Sequence, residues 1–290
     1  MPLWKQLLLG FYYYGSRPLR AVRNAQLAAR GRAPVSVVMY HRIANDAANA
    51  WTTHTDVFVR EIRWLQRHFD LVSLAEAQDR IRSPRSDRAA VSITFDDGYA
   101  VNSQCALPML IDAAIPFTYF VTSSAVLQRA CFPHDVAMGN SFEPNTLDQL
   151  RELTAAGVEV GGHTRTHADL GEIQDEVALY DEIVTASREI ETALDRPVRY
   201  FAFPFGQHAN LNVRGFEIAA DAGFEGVVSA YGGYNFPGDD AFHLQRMGVD
   251  GPLIRLKNWT TLDPYKQWKI ARFRYRRGSS HSQIDTAVTA

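Results

Sequence analysis

The chain has 290 residues, of which 46% are hydrophobic, and this allows one large globular domain with a substantial core. Its two cysteines, Cys105 and Cys131, are too few for a disulfide scaffold and favour a reducing compartment. The net charge of −2 is unevenly distributed, because residues 1–32 carry +6 and residues 253–277 carry +7, which leaves −15 for the rest. The composition therefore indicates an acidic body with two basic ends.

The first fourteen residues are predicted to form an amphipathic helix, since apolar side chains recur there at helical spacing before three consecutive tyrosines. This apolar run is too short to cross a bilayer, and Gly15-Ser16-Arg17-Pro18 is a poor signal-cleavage sequence, so we do not expect export. Aromatic side chains followed by arginines suit an anionic membrane surface. We expect a cytoplasmic protein held peripherally on the inner face of the cytoplasmic membrane; the alternative is a helix packed on the body. The apolar positions are Leu3, Trp4, Leu7, Leu8 and Phe11.

From residue 34 onward, strand and helix patterns alternate along the chain. The longest helix is predicted over 175–194, with Val177 and Tyr180 on its inner face. This order is typical of βα units around a parallel sheet or barrel, and periodicity alone does not distinguish a barrel from an open doubly wound sheet. Strands are predicted at 35–40, 71–74, 91–95, 116–121, 158–160, 199–203, 226–230 and 243–247. The other helices are predicted at 56–68, 74–81, 107–113 and 213–222. One more helix is predicted to begin after an N-cap at Asn145 or Thr146 and to end at residue 157.

Two carboxylates follow the apolar strand 91–95 directly. Asp96 and Asp97 precede Gly98, which permits a sharp turn, and adjacent carboxylates stay ionised only beside a cation or a strong donor. His163 and His167 lie after another strand, four residues apart, and could converge on one cation. An Asp-Asp-Gly sequence alone is commonly a turn, and His-x-x-x-His alone is a weak signal. Together they predict a catalytic metal site with Asp97 as third ligand and Asp96 free to act as a base.

The combination of residues 94–98, Thr-Phe-Asp-Asp-Gly, with residues 163–167, His-Thr-Arg-Thr-His, resembles the polysaccharide deacetylases of carbohydrate esterase family 4, the NodB homology family. The resemblance covers about residues 33–252 and implies a distorted, incomplete (β/α) barrel of seven to eight strands. Residues 1–32 and 253–290 are then basic extensions. The implied cofactor is one divalent metal ion. Zinc suits the ligand set best, and the same ligands can also bind nickel, cobalt or iron.

The family's third motif, Arg-x-Pro-Tyr-Gly, corresponds here to residues 202–206, Ala-Phe-Pro-Phe-Gly. The resemblance implies that Phe205 donates its backbone N–H to the oxyanion, a group that the change from Tyr to Phe preserves. The missing motif arginine leaves Asp96 without the guanidinium that normally holds it ionised. Arg246, near the last predicted strand, is the candidate replacement, and the alternative for it is an ordinary surface ion pair.

Residues 38–41, Val-Met-Tyr-His, resemble the opening of the circularly permuted poly-N-acetylglucosamine deacetylases. In that branch His41 is the general acid that protonates the departing amine; the alternative is a strand-end histidine bonded to backbone. Residues 123–145 interrupt the alternation and are predicted to form a long loop over the site. Within this loop, His134 and Asp135 are candidate substrate contacts.

The resemblance, together with these residues, implies a metal-dependent N-deacetylase acting on N-acetylated glycans of the cell surface or exopolysaccharide, with lipid-linked glycans among the expected substrates. Two alternatives stay open: an O-acetyl esterase on acetylated polysaccharide, and a non-catalytic carbohydrate- or lipid-binding protein with a degenerate site, which only the missing motif arginine supports. The segment 265–277 is basic with interleaved aromatics and suits anionic lipid. Nucleic acid is not expected, since the body is acidic and no nucleic-acid fold signature occurs.

Overall fold

The computed structural model describes residues 1–46, 49–274 and 283–285. Its central feature is a sheet of eight parallel strands in the spatial order β7-β6-β5-β4-β3-β2-β1-β8, and a two-residue strand, Asp70–Leu71, also pairs with β2. Neighbouring strands along most of this order are joined by helices, as in βα units. The strands are β1 Val35–Tyr40, β2 Ala90–Phe95, β3 Phe117–Val121, β4 Glu159–Gly162, β5 Tyr200–Ala202, β6 Gly226–Val228, β7 His243–Leu244 and β8 Arg246–Gly248.

The two ends of this sheet lie next to each other, because β7 and β8 are separated in the chain only by Gln245. The Asn235 side chain bridges this corner: it accepts from the Gln245 N–H at 2.9 Å and donates to the carbonyl oxygens of Gln245 at 2.9 Å and Val35 at 3.2 Å. The corner explains why the predicted strand over 243–247 is in fact two strands. The sheet is a nearly closed α/β barrel, which confirms the predicted fold class and excludes the open doubly wound sheet.

The barrel is apolar at one end and polar at the other. Strands β1 and β2 run in register from Val35 beside Ala90 to Tyr40 beside Phe95, so side chains alternate between the interior and the surrounding helices. Near the strand starts, Val35 and Ala90 pack in the interior with Leu74 and other apolar side chains that close this end of the barrel. Near the strand ends, the same alternation brings Thr94 and Asp96 inside. The polar end therefore carries the chemistry, as in other βα barrels.

The helices cover the outside of this barrel. Thr146, one of the two predicted N-cap residues of its helix, forms a capping box with Gln149. Ser73 caps another helix by accepting from the Glu76 N–H. The helices are α1 Leu3–Ala29, α2 Thr55–His68, α3 Leu74–Arg82, α4 Ala106–Asp112, α5 Ser123–Gln128, α6 Pro133–Ala137, α7 Leu147–Ala155, α8 Glu176–Tyr180, α9 Ala186–Leu194, α10 Val213–Asp221, α11 Leu253–Thr260 and α12 Pro264–Lys269; short 3-10 turns span Ala100–Gln104, Leu170–Glu172 and His208–Asn210.

Two further pairs of short strands lie outside the barrel. Arg42–Ile43 pairs in parallel with Thr52–Thr53 beside the end of β1, and Arg272–Arg274 pairs in antiparallel fashion with Gln283–Asp285. Part of the predicted basic segment 265–277, namely residues 275–277, lies outside the described residues.

The N-terminal helix is longer than predicted. Helix α1 does not end after fourteen residues but continues through Pro18 to Ala29, which makes it the longest helix of the described residues. Its fifth turn is held by tertiary contacts that local propensity does not reveal. The buried Arg20 guanidinium donates to the Asn258 carbonyl oxygen at 3.0 Å and to its side-chain oxygen at 2.6 Å. One face of the helix thus packs on the body.

The predicted helix over 175–194 is interrupted by a π-helical segment, Asp181–Thr185, between α8 and α9. The predicted inner face was wrong at its start, because Val177 and Tyr180 are exposed and Leu179 is buried instead. A π turn adds one residue to the helical repeat, so a single 3.6-residue period does not fit both halves. The predicted loop over 123–145 also contains α5 and α6, which are too short to give a periodic signal.

Candidate metal centre

Three side chains converge at the polar end of the barrel. Asp97 follows β2, and His163 and His167 follow β4, so the parallel strands deliver all three to one edge. The Nε2 atoms of His163 and His167 lie 3.5 Å and 3.3 Å from Asp97 Oδ1, and one ligand atom from each residue lies within 4.8 Å of the others. The three predicted ligands are therefore together and could share one ion.

The donor set fits a divalent metal. Asp97 Oδ1 is buried without a hydrogen-bond donor, which is the state expected of a carboxylate oxygen kept for a cation. His163 Nδ1 lies 2.9 Å from the Ala202 carbonyl oxygen, which accepts its proton and leaves Nε2 as the free ligand atom. Burial alone would raise the pKa of Asp97, but the two imidazoles outweigh burial and hold this pKa well below its usual range.

The backbone around these ligands is strained. Asp97, Thr164, His167 and Phe205 have φ values of 75°, 62°, 62° and 59°, in the left-handed region that residues other than glycine seldom adopt. Each such residue costs on the order of 1–3 kcal/mol and persists only where the surrounding structure enforces it. Strain of this kind clusters at functional sites, and here it lies on both sides of the candidate metal position.

Glu182 enforces the conformation of the loop between the two histidines. Its Oε2 accepts from the backbone N–H groups of Arg165 at 2.8 Å and Thr166 at 3.0 Å, and its Oε1 accepts from the Thr166 hydroxyl at 2.7 Å. Asp181 and Glu189 bind the Arg165 guanidinium. Glu182 belongs to the π-helical segment and was missed by sequence reasoning; a glutamate directly before two buried apolar residues was the only signal.

Asp96 and Arg246 form a buried, two-pronged ion pair. Nη1 and Nη2 of Arg246 donate to Oδ1 and Oδ2 of Asp96 at 2.6 Å and 2.7 Å. The guanidinium also donates to Thr94 Oγ1 at 3.2 Å and to the Ser229 carbonyl oxygen at 3.0 Å. Burial opposes ionisation of Asp96, but Arg246 outweighs it and lowers the pKa of this carboxyl. Arg246 thus occupies the position expected for the missing motif arginine, and its pair is buried rather than on the surface.

His41 follows β1 at the same end of the barrel. Its Nδ1 lies 3.1 Å from Asp250 Oδ2, and its side chain is mostly buried. Burial lowers the pKa of His41, but Asp250 and the carboxylates of the site reverse this effect and raise it to about 9. Sequence reasoning missed Asp250. The available signal was an aspartate before Gly251, two residues after the last strand, just as Asp97 stands before Gly98 two residues after β2.

Phe205 lies at the mouth of the site. The residue is 52% exposed, and its ring centroid lies 5.0 Å from that of the His167 ring. Within the described part of the chain, its backbone N–H has no hydrogen-bond acceptor. Behind it, Gly206 packs so closely on Ala230 that an added Cβ would lie 2.5 Å from the Ala230 nitrogen. The predicted oxyanion donor therefore belongs to a residue whose ring lies against His167, and its N–H is not used by the described part of the chain.

His134 and Asp135 have different environments. Asp135 is fully buried and accepts from the Tyr99 hydroxyl at 2.6 Å and from Asn49 Nδ2 at 2.9 Å, so it is not exposed for the contact with substrate that we predicted. The His134 ring is partly exposed, with centroids 5.2 Å from His167 and 5.1 Å from Trp51. Asp135 therefore supports the loop, and His134 forms part of an aromatic wall at the mouth.

Comparisons with known proteins agree with this architecture. The model of the polysaccharide deacetylase family matches residues 83–227, half of the chain. The chitooligosaccharide deacetylase of Bradyrhizobium sp. (strain ANU 289) is 31% identical over 125 residues, which are 42% of this chain, and the chain spans about half, 48%, of that relative.

Two solved structures share the fold. The deacetylase PplD of Streptococcus pyogenes, in complex with acetate, superposes with a TM-score of 0.65 at 19% identity, over 79% of this chain and 99% of that one. IcaB from Ammonifex degensii superposes with a TM-score of 0.64 at 23% identity, over 79% of this chain and 97% of that one. Asp96, Asp97 and both ligand histidines lie within the matched family segment, whereas His41, Arg246 and Asp250 lie outside it.

Proposed function

Because this chain belongs to the polysaccharide deacetylase family, we propose that it is a metal-dependent hydrolase that removes acetyl groups from N-acetylated sugars of a polysaccharide or oligosaccharide. One observation carries this proposal. The buried Asp97 Oδ1, which has no hydrogen-bond donor, lies within 3.5 Å of both imidazole Nε2 atoms. A metal held by only three protein ligands at the open end of a barrel has coordination positions left for water and substrate, which is the arrangement of catalytic metal sites and not of structural ones.

Asp97, His163 and His167 would hold the metal. When bound there, a divalent ion supplies Lewis-acid polarisation of the acyl carbonyl and lowers the pKa of a coordinated water. Two imidazoles and one carboxylate suit zinc best, and nickel, cobalt and iron accept the same set. The Ala202 carbonyl oxygen fixes the tautomer and the orientation of His163.

Asp96 is the proposed general base. It is the chain neighbour of Asp97, and Arg246 holds it ionised and fixes both of its oxygens. A carboxylate held in one orientation can accept the proton that water loses as it attacks the acetamide carbon. The buried guanidinium keeps this carboxylate charged in a place where burial alone would favour the neutral acid.

His41 is the proposed general acid. Asp250 accepts from its Nδ1, which orients the ring and favours the imidazolium form, so Nε2 can donate a proton to the amine nitrogen as the C–N bond breaks. We assign the stabilisation of the negative oxygen that develops during the attack to the backbone N–H of Phe205, which has no acceptor within the described residues. In this proposal, base, acid and oxyanion donor act on one acetamide group at the end of the barrel.

Acetate release tests this proposal. The protein reconstituted with zinc should release acetate from N-acetylated chito-oligosaccharides, and Asp96→Asn should lose at least about 100-fold in kcat, since general-base groups contribute on this order. Asp112→Asn, a change of the same chemistry on the exposed end of α4, should remain fully active. Activity of Asp96→Asn equal to that of the control would contradict the proposed base. Release from acetylated xylan alone would instead identify an O-acetyl esterase.

We further propose that the enzyme works at the inner face of the cytoplasmic membrane, on a nascent or lipid-linked glycan of cell-surface or exopolysaccharide biosynthesis. The charge distribution supports this placement, because both basic ends suit the anionic lipids of the cytoplasmic leaflet. Fractionation of cells that produce the full chain should find it in the membrane fraction and release it with high salt. A chain found only in the soluble fraction would contradict this placement.

A further inference from the structure

Helix α1 has two opposite faces. Tyr13, Arg20 and Leu27 are buried and recur every seven residues, so this side packs on the protein. The hydrogen bonds from Arg20 to Asn258 on α11 fix the rotation of α1 about its axis. The opposite side is therefore held toward solvent.

The solvent side of α1 is apolar. Trp4 is 59% exposed and Phe11 is 78% exposed, and at 100° per residue they lie opposite the buried positions. Soluble monomers seldom leave a contiguous apolar surface of this kind uncovered. None of the described helices is long and apolar enough to span a membrane. We define the α1 outer face as Leu3, Trp4, Leu7, Leu8, Phe11, Tyr14 and Val22, all exposed.

Basic and aromatic side chains border this face. On the helix, Lys5 and Arg23 lie along one edge and Arg17 along the other, all exposed, and residues 1–32 contain no carboxylate side chain. Helix α12 begins beside the face, because the Tyr12 hydroxyl donates to Asp263 Oδ1 at 2.7 Å and Asp263 caps α12. On α12, Tyr265 and Trp268 are 53% and 62% exposed.

We propose that the α1 outer face, together with the aromatic side chains of α12, docks this protein on an anionic lipid bilayer. Apolar side chains flanked by basic ones, with tryptophan and tyrosine at the border, match the layered structure of a bilayer interface. A second copy of this chain is a poorer occupant. In a two-fold contact, each basic edge would face a basic edge of the partner with no carboxylate to neutralise it.

This surface lies at the end of the barrel that carries the metal centre. Helix α11 begins at Leu253, shortly after β8 ends, and Arg255 donates to the Gly248 carbonyl oxygen there. The Arg20 guanidinium contacts Asn258, which lies about 8 Å along α11 from the first residue of that helix. Along α1, Phe11 precedes Arg20 by about 14 Å. Since α1 runs toward the start of β1, its N-terminal turns lie near the level of the start of α11, on the side of the strand ends.

Docking would therefore hold the barrel beside the lipid surface, through a helix that runs along its side and whose N-terminal turns lie on the side of the strand ends. The docking itself does not depend on the reaction. Its consequence for substrate, namely that a glycan anchored in the same bilayer is presented to the site, rests on the proposed deacetylase function.

Vesicle sedimentation of the full-length protein tests the docking. We expect binding to vesicles of phosphatidylglycerol and phosphatidylcholine that salt weakens, and little binding to phosphatidylcholine alone. Leu7→Ser with Phe11→Ser should weaken binding by at least about tenfold, since each loses an apolar side chain that the bilayer buries. Lys5→Gln with Arg17→Gln should weaken binding to the anionic vesicles only.

Matched controls separate this surface from general effects. Val177→Ser removes an equally exposed apolar side chain from α8, and Arg151→Gln with Arg214→Gln removes two exposed charges from α7 and α10. Both controls should bind like the wild type. Each variant should keep the wild-type Tm and its acetate release from soluble chito-oligosaccharides, so failure of docking and failure of the proposed reaction are separate results.

Three outcomes overturn the proposal. The wild-type protein fails to bind anionic vesicles, or the Leu7 and Phe11 variant binds them as well as the wild type does. Alternatively, light scattering finds a dimer in solution that this variant converts to a monomer, which would show that a second copy covers the face.

Discussion

Arg246→Met tests how strongly the ionisation of Asp96, the proposed base, and the stability of the fold depend on one guanidinium. The change removes both donors at 2.6 Å and 2.7 Å from Asp96 and leaves a buried carboxylate without its cation. Removing one partner of a buried ion pair costs about 3–5 kcal/mol. In a domain of this size the loss corresponds to a fall in Tm of roughly 10 °C at neutral pH.

The pH dependence of this loss follows from the sign of the pKa shift. In the wild type the pKa of Asp96 is lowered, so its pairing contributes stability above the unfolded-state pKa, and this contribution is lost as the pH falls through the folded-state value. Without Arg246, burial remains and favours the neutral acid. The difference in Tm between variant and wild type should therefore be largest near neutral pH and should narrow toward acid.

Activity should follow the same logic. The acid limb of the kcat/KM profile should move to higher pH in Arg246→Met, because the base is protonated more readily. The double variant Asp96→Leu with Arg246→Met should regain much of the stability, since two apolar groups replace a buried pair, yet it should stay inactive. Thermal unfolding and acetate release across pH measure both effects. An Arg246→Met protein with the wild-type Tm and acid limb would refute the role given to this pair.

Glu182→Ala should weaken metal binding by about 10–100-fold in a chelator competition, as loss of outer-shell support does. The control Glu152→Ala, at an exposed position of α7, should bind metal normally, and equal affinity in Glu182→Ala would contradict its clamping of the histidine loop. Asp250→Asn should move the alkaline limb of kcat to lower pH, because the pKa of about 9 at His41 depends on the Asp250 charge, and an unmoved limb would exclude this pairing. Arg20→Met should lower stability by about 3–5 kcal/mol in denaturant unfolding, since Asp263 loses its buried cation; an unchanged midpoint would mean that α1 is held by other contacts.

The chemistry of the site could be predicted from local sequence where each functional side chain follows a strand. Asp96, Asp97 and His163 stand directly after apolar strands, and parallel strands bring such positions to one edge of a barrel. The alternation of strands and helices predicted the α/β class, and the family resemblance implied the barrel. Arg246 required more, because it lies 150 residues from Asp96 in the chain and reaches it only because β8 pairs with β1, which pairs with β2.

What sequence did not reveal depends on contacts between distant parts of the chain. Asp250 becomes significant only because β8 lies beside β1 and brings it to His41. Glu182 reaches the histidine loop from a π-helical segment, whose extra residue no 3.6-residue pattern predicts. Helix α1 continues past Pro18 because Arg20 is held by Asn258, 238 residues away in the chain. In each case a long-range contact overrides the local signal.

Metal stoichiometry tests the proposed centre most directly. The full-length protein, loaded with zinc, dialysed and measured by elemental mass spectrometry, should retain one zinc ion per chain. His163→Ala should retain almost none, and His68→Ala, which changes an exposed histidine at the end of α2, should retain one. A wild-type chain that retains no metal, or a His163→Ala chain that retains as much as the wild type, would contradict a shared site on Asp97, His163 and His167.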